Sequence, residues 1–184
     1  MQCPGCDLYF VPSQDQLTPE NERARYETHR NDLGQRGFRD FLMKTVELMK
    51  THVPAPAAVL DYGSGPEPSL AMLLSEAGYD VSLYDPFFHP GVPDGPFDAV
   101  LMHEVFEHVR DPRAEIKAAL SRLKTGGRLV IRTELRPAEF ENWWYARDNT
   151  HILFPSEATM AWIAGDWGLR LERWSPVVTA LALR

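Results

Sequence analysis

Residues 57–85 alternate between short apolar segments and a helical segment, and this alternation constrains the fold more than any other feature. The segment "AAVLD" is nearly all apolar, Leu70 to Ala77 has helical spacing before Gly78, and "DVSLYD" is a second strand-like segment. Strands that are apolar on both faces belong to parallel sheets covered on both sides by helices. The pattern therefore predicts a doubly wound, mainly parallel α/β fold.

The same alternation continues to the end of the chain. We expect a third strand at "FDAVLM", a helix from Asp111 to Lys124 that ends before Gly126 and Gly127, and a fourth strand at "RLVIRTE". A helix from Ser156 to Trp167 and two final strands, "LRLERW" and "VVTALAL", should follow. Ligands of such sheets bind beyond the carboxyl ends of the strands, which is where the turn "YGSGPEP" lies.

Composition restricts the partners and the location of the protein. The chain has 184 residues and a net charge of −7, which argues against a nucleic acid as partner. No apolar run approaches the roughly 20 residues that a membrane span needs, and the first residues show no signal sequence. Two cysteines three positions apart do not stabilise a domain of this size through disulfide bonds, so we expect a cytoplasmic protein. We also expect no membrane partner.

The chain divides into two parts, which we expect to form one compact unit. Residues 1–52 contain a CxxC segment and two helical patterns, and residues 53–184 contain the alternating strands and helices. We expect the first helix, with Tyr26 and His29, to form a lid over the site. A solvent-exposed helix face is the alternative interpretation of these two residues.

The glycine turn after the first strand has the character of a ligand site. Gly63 and Gly65 allow a sharp turn and a close approach of the backbone to a ligand, although a tight turn alone also needs such residues. Asp61 and Glu67 flank the turn, and their negative charges repel a diphosphate and suit a cationic group. Asp85 ends the second strand, where a carboxylate can hold both ribose hydroxyls. The pattern indicates a nucleoside ligand with a positively charged tail.

Five segments in order resemble class I S-adenosylmethionine-dependent methyltransferases. They are "VLDYGSGP", "VSLYD", "FDAVLMHEVFEHVRDP", "LKTGGRLVI" and "THILFPSEATMAWIAGDWGLRLE", and the similarity covers residues 57–184. The segment "CPGCDLYFVP" also resembles the second half of a zinc knuckle that precedes such domains in one bacterial subgroup. The resemblance implies a Rossmann-like fold and methyl transfer from S-adenosylmethionine to an acceptor. We expect a small-molecule acceptor, with a protein acceptor as the alternative.

The resemblance also implies a role for each matching residue at the cofactor site. Asp61 would reach the amino group of the cofactor through water, and Asp85 would hold the ribose hydroxyls. The remaining cofactor-binding residues would be Gly63, Ser64, Gly65, Pro86, Phe87, His103 and Glu104.

Two departures from the family pattern leave other functions open. Glu67 stands where the family usually has a glycine, and only 11 residues separate Asp85 from Phe97, where the family often has a helix and another strand. We therefore expect a shortened region here, with Phe87 or Phe88 as the wall of the adenine pocket. A catalytically silent nucleoside-binding module is the first alternative. A nicotinamide-dependent oxidoreductase is the second, disfavoured because the turn lacks GxGxxG.

The acceptor side of the site is expected near the histidines that follow the third and fourth strands. His151 is a candidate base, because the pKa of histidine suits proton transfer near neutral pH. His108 either lines the acceptor pocket or caps a turn, and Tyr26 would lie opposite. Trp143 and Trp144 belong either to the acceptor site or to the core.

No bound metal is expected from the sequence. A zinc hydrolase needs histidines four positions apart on one helix face, whereas His103 and His108 are five positions apart, or about 140° around a helix. Cys3 and Cys6 have the spacing of half a zinc site, but no second CxxC follows. We therefore expect a knuckle-shaped turn without zinc.

Overall fold

A six-stranded sheet lies at the centre of the computed structural model, which describes residues 1–28, 32–140 and 142–183. The strands in chain order are β1 (Tyr9–Phe10), β2 (Ala58–Tyr62), β3 (Asp80–Tyr84), β4 (Phe97–His103), β5 (Leu123–Arg132), β6 (Leu153–Phe154), β7 (Arg170–Ser175) and β8 (Val178–Ala182). The large sheet has the order β3-β2-β4-β5-β8-β7, and β1 pairs with β6 in a separate two-stranded sheet.

The first four strands of the large sheet run parallel to one another. β2 lies between β3 and β4, and β5 continues the parallel set beside β4. β8 is antiparallel to both of its neighbours, β5 and β7. Because β2, β3 and β4 are parallel, their carboxyl ends meet at one edge of the sheet, with Tyr62 paired to Tyr84. The predicted doubly wound, mainly parallel fold is confirmed.

Three of the five α-helices in the described part of the chain begin at a residue whose side chain caps the helix. The five are α1 (Pro19–Tyr26), α2 (Arg36–His52), α3 (Ser69–Glu76), α4 (Pro112–Leu120) and α5 (Glu157–Asp166). The side chains of Thr18, Asp111 and Ser156 accept backbone N–H groups at the starts of α1, α4 and α5. Short 3-10 helices cover Ser13–Asp15, Phe106–His108 and Trp144–Arg147.

The predicted helix from Asp111 to Lys124 is wrong at its carboxyl end. α4 stops at Leu120, because Leu123 already pairs with Phe97 in the sheet. The glycines at 126 and 127 therefore lie within β5 rather than after a helix.

Helices cover both faces of the sheet, and neighbouring residues of a strand enter opposite cores. Val59 and Leu101 pack with α2 and α3, whereas Leu60 and Val100 pack with α4 and α5. Burial on both faces explains why the strands are apolar throughout rather than alternating. The apolar face of α2 packs in the core between α2, α3 and the sheet through Leu42, Val46 and Met49.

The connection from β3 to β4 is short, as the sequence predicts. Residues 86–96 form neither a helix nor a strand, apart from one isolated bridge between Asp85 and His89. The chain therefore passes from β3 to β4 without the additional helix and strand that the family often has.

No helix within the three described ranges has both the length and the apolar character needed to cross a membrane.

Because β4 lies in the middle of the sheet, shortening a buried side chain of β4 should strongly lower the free energy of unfolding. Leu101 is fully buried, so Leu101→Ala should lower the free energy of unfolding by about 2–5 kcal/mol. Leu171→Ala is the control, because Leu171 on the edge strand β7 is 40% exposed and should lose at most about 0.5–1 kcal/mol. Urea denaturation measures both values, and equal losses would contradict the assignment of β4 to the core.

Candidate active site

A cavity of about 660 Å³ lies at the carboxyl edge of β2, β3 and β4, and parts of α1 and α2 also line it. It brings together residues that the sequence assigned to both the cofactor side and the acceptor side. These residues are Tyr26, Asp61, Gly63, Ser64, Gly65, Asp85, Pro86, Phe87, His103, Glu104, His108 and His151. The sequence therefore predicted their convergence at one site.

The glycine turn forms one wall of the cavity. The N–H groups of Gly63 and Ser64 donate to the carbonyl oxygen of Tyr84 at 2.7 and 3.0 Å, which ties the turn to the end of β3. Gly63 has φ +87°, and a Cβ atom there would lie 2.5 Å from Cγ2 of Val105. Ser64 Oγ is buried and has no hydrogen-bond partner among the described residues. The turn therefore needs glycine and offers an unused hydroxyl.

Asp61 places a buried carboxyl group beside the turn. Its side chain lies near the end of β2 and is only 3% exposed. Burial, together with the negative charge of Asp85, raises the pKa of Asp61 to about 7. A cationic group in the cavity would favour loss of this proton, because an opposite charge stabilises the carboxylate.

Asp85 connects the glycine turn to the loop after β3. Its Oδ2 atom accepts the N–H of Gly65 at 3.0 Å, and its Oδ1 atom accepts the N–H groups of Phe87 and Phe88 at 2.9 and 3.1 Å. A carboxylate has about four lone-pair positions, so capacity for a ligand hydroxyl remains. The sequence predicts that Asp85 binds a ligand, and it gave no sign of this structural role.

Aromatic side chains lie beside the Asp85 loop. The ring of Phe87 lies 6.1 Å from that of Tyr26 and lines the cavity. The guanidinium of Arg23 lies 5.7 Å from the centroid of the Phe88 ring. Phe87 is therefore the better placed of the two predicted wall residues, although both border the cavity.

His103 and Glu104 close the cavity at the end of β4. The His103 ring packs edge-on against Phe41 at 5.2 Å, and its Nε2 atom is buried without a hydrogen-bond partner in the described part of the chain. Burial, with the nearby charge of Arg132, lowers the pKa of His103 to about 3. Glu104 has φ +55°, which is uncommon for a residue with a Cβ atom, and it forms an ion pair with Arg132.

A second buried carboxyl group, which the sequence reasoning missed, lies behind Glu104. Glu107 is fully buried and accepts a hydrogen bond from the hydroxyl of Tyr145. The same hydroxyl lies 3.4 Å from Glu104 Oε2. Burial raises the pKa of both carboxyl groups above the usual range for glutamate. The repeat of glutamate at i and i+3 in "EVFEH" is the signal that points to this pair.

His108 and His151 come together at one side of the cavity. Their ring centroids are 4.8 Å apart, and the ring of Tyr26 lies 5.5 Å from that of His108. The Tyr26 hydroxyl donates to Glu22 at 2.8 Å, and burial raises the pKa of Tyr26, which keeps the phenol protonated. Tyr26 is therefore suited to donate or stack rather than to act as a base.

Other candidate residues lie outside the interior of the cavity. The side chain of Glu67 is exposed at the cavity rim. Trp144 is 65% exposed, and Trp143 packs against Tyr145 and neighbouring aromatic rings without lining the cavity. His29, assigned to the lid from the sequence, lies outside the described residues.

Cys3 and Cys6 do not lie at the cavity. Both thiols are free, and within the described ranges no histidine, cysteine or acidic residue joins them in a group of three potential ligands.

The sequence matches a known family over most of its length. A family model described as a methyltransferase domain matches residues 32–173, so the chain belongs to that family. The chain is also 53% identical over 47 residues to the ubiquinone biosynthesis O-methyltransferase of Xanthomonas axonopodis pv. citri (strain 306). That match covers 25% of this chain and 20% of the length of the relative.

Solved methyltransferase structures share the fold. The 1,6-didemethyltoxoflavin-N1-methyltransferase of Burkholderia thailandensis, solved with its substrate and S-adenosylhomocysteine, superimposes with a TM-score of 0.59 at 15% identity, covering 95% of this chain and 92% of that chain. Magnesium protoporphyrin IX methyltransferase of Synechocystis PCC 6803, solved with S-adenosylmethionine, gives 0.56 at 17% identity, covering 91% and 92%. The predicted Rossmann-like methyltransferase fold is thereby confirmed.

The two glycines of the turn provide a matched test of the cavity wall. Gly65 has φ +68° and open space where a Cβ atom would lie, so Gly65→Ala should cost only the backbone strain of about 1–2 kcal/mol. Gly63→Ala adds the clash with Val105 and should cost about 1–3 kcal/mol more. Urea denaturation measures both, and a Gly63→Ala loss no larger than that of Gly65→Ala would contradict the described packing.

Proposed function

We propose that the protein is an S-adenosylmethionine-dependent methyltransferase that acts on a small-molecule acceptor. The observation that carries this proposal is the presence of Asp61 and Asp85 beside a glycine turn inside one cavity. Two carboxyl groups suit a ligand with a cationic tail and a ribose and disfavour a diphosphate. Membership of the methyltransferase domain family and the shared fold support the same conclusion.

The cofactor would extend along the carboxyl edge of the parallel strands. Its ammonium group would approach Asp61, its amino-acid end would follow Gly63 to Gly65, and its ribose would lie at Asp85. Ser64 Oγ, which lacks a partner among the described residues, would then gain a polar neighbour. The adenine would stack on Phe87 or Phe88, the two aromatic residues that the short connection from β3 to β4 places at the cavity.

The acceptor would occupy the part of the cavity near the two histidines. The Tyr26 ring contacts both Phe87 and His108. It therefore adjoins both the proposed adenine wall and the two histidines. Relatives named for 1,6-didemethyltoxoflavin and for magnesium protoporphyrin IX support a small molecule as acceptor. S-adenosylmethionine would supply an activated methyl group, which a lone pair of the acceptor bound here would displace from the sulfur atom.

The position of Glu67 supports an active enzyme over a silent binding module. A carboxylate inside the cavity would crowd the cofactor's tail, and this concern, together with the short connection after Asp85, favoured the silent module. The exposed side chain of Glu67 instead lies at the rim. We infer that it leaves room for the cofactor.

The first helix has the contacts expected of a lid. Pro19, Glu22 and Tyr26 of α1 line the cavity. Arg110 holds Glu22 at 2.7 Å, and an ion pair of 3.2 Å joins Arg25 to Asp148. We propose that, within residues 1–52, the helix α1 acts as this lid and that the CxxC turn holds no zinc.

Titration with S-adenosylhomocysteine at several pH values tests the proposed cofactor site. Only the ionised carboxylate of Asp61 attracts the ligand's ammonium group, and the pKa of about 7 leaves Asp61 mostly protonated in acid. The affinity should therefore rise about tenfold between about pH 5.5 and pH 7, where an α-amino group stays mainly charged. Isothermal titration calorimetry measures this affinity and the proton released on binding.

Asp61→Asn is the matched control, because it keeps the shape and removes the titration. It should bind S-adenosylhomocysteine more weakly and with little dependence on pH. An affinity of the unmodified protein that is flat over this range would remove Asp61 from the site. Saturable binding of NADH without binding of S-adenosylhomocysteine would instead favour a nicotinamide-dependent oxidoreductase.

A further inference from the structure

Three side chains with metal-ligating atoms meet at the acceptor side of the cavity. They are Glu107, His108 and His151, and one potential ligand atom of each lies within 4.8 Å of the other two. His108 and His151 line the cavity, whereas Glu107 is fully buried behind them. Two of the three adjoin in the sequence, and the third reaches them only through the fold.

The hydrogen bonds of the two histidines fix which ring nitrogen carries the proton. His108 Nδ1 lies 2.9 Å from the carbonyl oxygen of Thr150, and His151 Nδ1 lies 2.7 Å from that of Tyr145. A carbonyl oxygen only accepts, so in each ring Nδ1 donates and Nε2 carries the lone pair in the neutral form. This arrangement, with one nitrogen held by the backbone, is typical of metal-ligating histidines.

The carboxylate of Glu107 completes the group. Its Oε1 atom accepts the Tyr145 hydroxyl and lies 3.9 Å from His108 Nε2, and its Oε2 atom is buried without a hydrogen-bond partner among the described residues. A fully buried carboxylate oxygen without a partner is costly. A lone pair of His108 therefore lies close to an acidic oxygen, an arrangement that a cation between the two groups would stabilise.

We propose that Glu107, His108 and His151 bind a divalent first-row transition-metal ion, such as zinc, manganese or iron(II), that faces the cavity. Two imidazoles and one carboxylate are ligands that these ions accept, and the set leaves coordination positions open. Ligands at about 2.1 Å from a tetrahedral ion lie about 3.4 Å apart. Closing a present separation of up to 4.8 Å therefore needs a shift of about 0.7 Å in each of the two side chains that lie farthest apart.

This site revises two expectations from the sequence. No metal was predicted from the sequence, because the spacing of His103 and His108 does not place both on one face of a helix. The structure pairs His108 with His151 instead. The sequence also made His151 a base, whereas the proposed ion would use the lone pair of its Nε2 atom.

The proposed ion indicates the chemical class of the acceptor, an inference that rests on the proposed methyltransferase function. An ion with open positions at the cavity would bind an oxygen atom of the acceptor, which selects molecules with a hydroxyl or phenol group. Coordination lowers the pKa of a bound oxygen acid. The ion would therefore position the acceptor and lower the pKa of its oxygen acid, so that the proton passes to solvent water rather than to His151.

Titration of the protein with cobalt(II) tests the site without cofactor or acceptor. A Cys3→Ser/Cys6→Ser background removes the thiols, which also bind such ions. We expect saturable binding of one cobalt(II) per chain with visible absorption bands typical of nitrogen and oxygen ligands. His108→Ala and His151→Ala should each weaken this binding at least about tenfold. His52→Ala, on α2 and stacked on Trp174 away from the cavity, should leave it unchanged.

Absence of saturable cobalt(II) binding up to about 1 mM would overturn the proposal. Affinity that neither histidine substitution changes would overturn it as well. Circular dichroism checks the fold of each variant, and Glu107→Gln, which preserves the shape of the buried side chain, should also weaken binding. Because the titration contains no S-adenosylhomocysteine, its failure leaves the methyltransferase proposal intact. Failure of S-adenosylhomocysteine to bind would likewise leave the metal site intact.

Discussion

The carboxylate of Asp85 accepts N–H groups from two separate loops, and the geometry of the cavity depends on this interaction. It connects Gly65, in the turn after β2, with Phe87 and Phe88, in the loop after β3. Hydrogen bonds to a charged acceptor are the stronger kind, and Asp85 is only 7% exposed to the solvent that would compete for them. The glycine turn and the aromatic wall are therefore held in one relative position before a ligand binds.

The same charge affects Asp61. Burial and Asp85 raise the pKa of Asp61 to about 7, so the folded chain holds this proton more tightly than the unfolded chain does. The stability that this provides in acid is lost as the pH rises from about 4 to about 7. A cationic ligand would offset the loss by stabilising the carboxylate. The Asp61 carboxylate would therefore gain its opposite charge when the ligand binds rather than when the chain folds.

Much of the fold and of the cofactor side could be predicted from the sequence. Apolar strands alternating with helices indicated a parallel sheet, and the carboxyl ends of parallel strands meet at one edge. Residues that end different strands, such as Asp61, Asp85 and His103, therefore had to converge. The 11-residue connection before Phe97 was too short for a helix and a strand, and the structure has neither there.

The remaining features depend on contacts between distant parts of the chain. α4 ends where it does because Leu123 pairs with Phe97 in the sheet. Local helix propensity carries no information about this pairing. Glu107 acquires its role from Tyr145, and His108 from Thr150 and His151. None of these partners is near in sequence, so spacing rules for a single helix could not bring His108 and His151 together.

A crystal structure of the protein grown with S-adenosylhomocysteine tests the proposed cofactor site. We expect the nucleoside in the cavity, with its ribose hydroxyls within hydrogen-bond distance of Asp85 and its amino-acid end along Gly63 to Gly65. The sulfur atom should point towards the side of the cavity that holds His108 and His151. A ligand bound elsewhere, or an empty cavity at saturating concentration, would contradict the account.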